Sequence, residues 1–107
     1  MVSMMTQPIP DIRDLHPVGI ADQACLDEIR SVLAKHGALH RFGITLLHTH
    51  FHMDADEILK ESCDADNRTM ILKPARTSDY APGELVFTAW NLEMGLPLVG
   101  CRPVEGD

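Results

Sequence analysis

A chain of 107 residues with a formal net charge of −7 has room for one ordinary domain and excludes two separate cores or a large barrel. Its apolar fraction of 45% and charged fraction of 23% are those of a folded globular protein rather than a disordered one. The nine basic residues form no stripe or run, so nucleic acid and anionic membrane are poor partners for so acidic a chain.

The opening MVSMMTQPIP has neither the basic start nor the continuous apolar run of a secretory signal, and no stretch reaches the length of a membrane span. Cys25, Cys63 and Cys101 are odd in number and lack a Cys-x-x-Cys spacing. That reads as reduced thiols in a cytoplasmic protein, small apolar residues rather than a disulfide framework. Aromatic residues are few, so Leu, Ile, Val, Ala and the six Met must supply most of the core.

In chain order, residues 1 to 20 carry Pro8, Pro10 and Pro17 and read as an irregular arm, with room for a short helical turn near Asp11 to Leu15. The clearest helix spans Asp22 to His36. Asp22 is placed to cap it, Asp27 and Glu28 lie early, Lys35 and His36 lie late, and Gly37 follows where a left-handed stop is wanted. Leu26, Ile29, Leu33 and His36 make one apolar face at helical spacing, which needs a sheet to lie on.

From Leu39 to His50 the pattern changes to period two and predicts a long first strand, with His40, Phe42, Ile44, Leu46, His48 and His50 on one face. Residues 54 to 63 admit two readings. Asp54 and Glu57 resemble a helical capping box, whereas Asp64 to Asn67 is turn chemistry between Glu57–Cys63 and the β-rich Arg68–Lys73, which favours a hairpin. Pro74 then ends the strand. A loop over 75 to 84, a strand at Leu85 to Trp90 and an irregular tail from about 91, with a brief strand at Leu98 to Cys101, complete the chain. The expected architecture is a single α+β domain, one main helix packed on a four- or five-stranded antiparallel sheet.

The chemistry-bearing stretch is Gly43 to His52, GITLLHTHFH, where an apolar run ends in His48, His50 and His52. On a strand, residues two apart lie roughly 6.7 Å apart and point the same way, so His48 and His50 can converge on one ion. His48 and His52 would be roughly 13 Å apart, too far to share it unless the chain bends. If the strand pairs with Glu57–Cys63 through a loop at 51 to 56, Glu57 falls opposite His50 and Glu61 lies one diagonal step from His48. His48, His50, Glu57 and Glu61 are therefore the candidate metal ligands. Two imidazoles and a carboxylate suit one divalent ion, Zn²⁺, Fe²⁺ or Mn²⁺, with positions left open for chemistry.

LLHTH resembles the strand-borne His-x-His of metal-dependent amidohydrolases, a β/α-barrel family for which this chain is too short. Gly43, His48, His50 and Asp54 are similar to the first cupin motif, but no histidine follows His52 to serve the second. Neither likeness assigns a family. The expected function is a small cytoplasmic metal-binding protein, an enzyme if a substrate reaches the ion. The alternative is a non-catalytic interaction or regulatory module whose histidines are structural or pH-sensitive. A homodimer is expected on either reading, because a small sheet leaves edges to be paired.

Overall fold

A computed structural model describes residues 8–103, which fall into two compact units, Pro8–His50 and the chain from Phe51 onward. In the first, short 3₁₀ turns at Ile12–Asp14 and Ile20–Asp22 precede a helix, α1, at Gln23–Lys35. The expected cap is displaced by one turn. Asp22 accepts from the Gly19 amide at 3.0 Å and closes the 3₁₀ turn, and it gives α1 no side-chain cap.

The stop is the one the sequence predicts. Gly37 sits at φ 66°, its amide donates to Ala34 at 3.0 Å, and the Ala38 amide donates to Leu33 at 2.7 Å. This pair of bonds satisfies carbonyls that the helix end would leave open, and it seats Ala38, which is buried, near the half-buried Leu33. Leu26, Ile29 and Leu33 form the half-buried face of α1. Val18, Asp22, Cys25 and Leu26 share an apolar groove with Ile44, Thr45 and Leu46.

The long strand expected over 39 to 50 does not form. Residues 39 to 41 are a turn, with Arg41 and Phe42 both donating to Ala38, and residues 42 to 48 have no regular structure. Period two marks a segment able to be a strand, but a strand also needs a second backbone to bond. Among the described residues this segment finds one only at its end, in an isolated parallel bridge between Asp11 and Thr49.

The second unit is a four-stranded sheet of β1 (Glu57–Asp64), β2 (Thr69–Arg76), β3 (Val86–Asn91) and β4 (Leu96–Cys101), in the order β2-β1-β4-β3. With α1 it makes the protein α+β. The sheet is mixed rather than wholly antiparallel, since β1 and β4 run parallel between two antiparallel hairpins. The β1–β2 hairpin turns where expected: Asp64 accepts from the Asn67 amide at 3.3 Å and side chain at 2.7 Å, and Arg68 takes the left-handed conformation at φ 55°.

Pro74 does not end β2 but lies inside it, opposite Leu59. The Thr77 amide donates to Asp56 at 3.2 Å, so odd-numbered residues of β2 face β1 and the missing donor of Pro74 points to the open edge, where it costs no ladder bond. β4 starts two residues earlier than expected. Gly95, at φ 70°, returns its amide to Asn91 at 2.7 Å and so builds a hairpin in what reads as an irregular tail. The interior of the sheet is Ile58, 1% exposed, lying over Gly100 beside Phe87 and Leu85. Among the described residues no helix is long and apolar enough to cross a membrane.

Candidate functional site

The histidine pair is positioned by an arm distant in sequence. The Thr49 amide donates to Pro10 at 2.8 Å and the Ile12 amide donates to Thr49 at 2.8 Å. Thr49 lies between His48 and His50, so pinning its backbone on both sides fixes where both imidazoles leave the chain. Their ring centroids are 5.1 Å apart, edge to face at 83°. The side-by-side placement expected of a strand is thus reached without one.

Nδ1 of His48 lies 2.7 Å from the Leu46 carbonyl oxygen. A carbonyl only accepts, so Nδ1 carries the proton and donates, and in the neutral ring Nε2 is left with the lone pair. Metal-bound histidines are commonly oriented by a bond of this kind. Both rings are exposed.

Asp11, beside Thr49 in the bridge, is a carboxylate that reasoning from the sequence missed. Arg13 binds it with the backbone amide at 2.8 Å and with Nε at 2.9 Å. The guanidinium, then the amide, hold the Asp11 carboxyl down at about 2, with a smaller contribution from the charge of His50. No local signal could have found it, since it joins the pair only through a contact between segments some 39 positions apart.

The other predicted residues are placed differently. Nε2 of His52 is paired with Asp54 at 3.0 Å, and Asp54 also binds Arg76 at 3.0 Å. Arg76 first, and then His52, lower the Asp54 carboxyl from its ordinary range. Arg76 binds Asp56 as well, at 2.5 Å. Together these bonds tie the loop before β1 to the end of β2. Glu57 accepts from the Asp54 amide at 2.8 Å and returns its own amide to the Asp54 carbonyl at 3.0 Å. Only half of the box legible in the sequence is made, the Glu57 side chain on the Asp54 amide; the Asp54 carboxylate is taken by His52 and Arg76, and the turn opens a strand instead of a helix.

Glu61 is half-buried in mid-β1, opposite Leu72 on one side and Cys101 on the other. The expected pairing of the His48–His50 segment with Glu57–Cys63 is not made, because β2 and β4 occupy both edges of β1. Among the described residues, no group of three or more His, Cys, Asp or Glu side chains is gathered for a metal ion. Cys25 and Cys63 are exposed and Cys101 is half-buried.

Compared with family models, with curated proteins and with solved structures, the chain matches none.

Proposed function

We propose that this is a small cytoplasmic metal-binding protein in which His48 and His50 are the ligands of one divalent ion, Zn²⁺, Fe²⁺ or Mn²⁺. The observation that supports this is the imidazole pair itself, 5.1 Å between centroids, with the Nε2 lone pair of His48 freed by the Leu46 carbonyl. Two ligands leave an ion with open positions. A carboxylate would complete the set in this reading, and a remaining water would be acidified by the ion into a nucleophile at neutral pH.

Metal analysis of protein purified without a histidine tag tests the proposal. One equivalent of ion per chain is expected, lost in both His48→Ala and His50→Ala. Metal content that is the same in the wild type and both histidine variants would sink it.

A second reading, a non-catalytic homodimeric module, is favoured by a different observation. Ala38 and Ile58 are the buried hydrophobic residues among those described, while Leu39, Phe42, Ile44, Leu46, Met70 and Ile71 are all exposed. So much uncovered apolar surface is what a chain shows when part of its core lies in an interface. A homodimer is compatible with either reading, so metal content separates the two: the second requires no bound ion and no loss of metal in His48→Ala or His50→Ala.

A further inference from the structure

We infer that residues 42 to 48 are a strand that pairs, antiparallel and about a two-fold axis at Thr45, with the same segment of a second copy of this chain. The inference deepens the homodimer reading by naming the surface.

The first support is an unmet backbone requirement. Between the turn at 39 to 41 and the bridge at Thr49, the segment contains no turn or bend, and among the described residues the backbone amides of 43 to 48 enter no backbone–backbone hydrogen bond. Its exposed side chains include Phe42, Ile44 and Leu46, at 44%, 59% and 42%. An apolar segment of seven residues whose backbone donors from 43 to 48 are unused in backbone pairing, and of whose carbonyls Leu46 accepts from His48 Nδ1, has the length and chemistry of a sheet strand without its neighbour.

The second support decides the occupant. Two copies carrying −7 each repel one another, and they approach at least cost where neither brings charge. Phe42 to Met53 contains no Asp, Glu, Lys or Arg. The sheet's own two open edges are both blunted: β2 brings Lys73 and Arg76 and is interrupted on its outward side by Pro74, and β3, though uncharged, shifts register between Phe87 and Trp90.

Self-pairing about Thr45 also sets compatible residues opposite each other: Thr45 against itself, Ile44 against Leu46, Gly43 against Leu47 and Phe42 against His48. Threonine pairs and apolar or aromatic pairs are the favourable cross-strand combinations. In this register the two His48 positions are six residues apart along the ladder, roughly 20 Å. Each copy then keeps its own histidine pair, and no ion is shared between copies.

The experiment is sedimentation of the full-length, metal-free protein over a range of concentrations, with hydrogen exchange of the amides of 43 to 48 measured at the same concentrations. Ile44→Lys and Thr45→Pro are the disrupting variants, and Met70→Lys on β2 is the control. Expected are a wild-type dimer, slowing of exchange at 43 to 48 by about tenfold or more as the dimer forms, half the mass in both disrupting variants with the helical circular dichroism of α1 retained, and a dimer in the control.

A dimer that survives Ile44→Lys and Thr45→Pro, or that is lost only in Met70→Lys, overturns the segment while leaving the homodimer standing. A monomer at every concentration overturns both. Slow exchange at 43 to 48 in a monomer would place the missing strand in the same chain and overturn the inference. The exchange data on the wild type decide the matter even if a variant fails to fold.

Discussion

Ile58 and Gly100 depend on each other. A Cβ built on Gly100 would stand 2.6 Å from Ile58 Cδ1, inside van der Waals contact, so Gly100→Ala forces the one fully buried side chain of the sheet to move. Overpacking of this kind costs about 1–3 kcal/mol, whereas Ile58→Ala leaves a cavity at about 2–5 kcal/mol. Urea unfolding of both single variants and of Gly100→Ala combined with Ile58→Val is the check. The Val variant relieves the clash, so the double change is expected to cost less than the sum of its parts.

Asp11 gives a residue-scale prediction in pH. Its carboxyl is held at about 2 in the folded chain, below the ~3.9 of an unfolded aspartate. A depressed carboxylate stabilises the fold above the unfolded value, and its contribution disappears as pH falls from about 4 through about 2. Carboxyl-carbon NMR should show Asp11 titrating near the low value, and Arg13→Ala should return it toward the ordinary one. An Asp11 that titrates identically with and without Arg13 contradicts the bonding described for the arm.

At the scale of elements, those whose partners are close in sequence were read correctly, and those whose partners are distant were not. The helix, its glycine stop and the Asp64–Asn67 hairpin each draw their bonds from residues a few positions away, so spacing and turn chemistry suffice to find them. The β3–β4 hairpin belongs to the same class but was read short, since Gly95 and Pro97 look like breakers until the turn is seen to require a left-handed glycine. Gly95 holds φ 70°, so Gly95→Ala is expected to destabilise the protein by about 1 kcal/mol or more. A denaturation midpoint equal to that of the wild type would count against the hairpin. The segment 42 to 48 failed for the opposite reason: alternation encodes which side chains share a face, but not whether another backbone lies alongside. β1 had the converse fate, since a parallel neighbour from the far end of the chain took the edge that the sequence appeared to reserve for the histidine segment.

For the whole molecule, a −7 chain with its large apolar residues mostly uncovered should depend on what it binds. If His48 and His50 hold an ion in the folded state, Zn²⁺ or Fe²⁺ raises the unfolding midpoint dose-dependently. The gain shrinks in acid, where protons compete for the imidazoles. A midpoint unmoved by saturating ion at neutral pH, or moved equally in His48→Ala, would remove the support for the metal reading.

Sequence alone determined the helix and its stop, the Asp64–Asn67 turn and the rough positions of the sheet's strands, because each follows from bonds and side-chain directions within a few residues. Only the tertiary structure decided that the sheet is mixed, that Pro74 can sit in an edge strand and that Pro10 and Ile12 brace Thr49. It also set Asp11 beside Thr49, which lies between the two histidines in the chain, and Glu57 and Glu61 in β1. Backbone pairing between distant segments depends on which edges remain open after the nearby ones have closed, and a linear pattern of residue types carries no record of that competition.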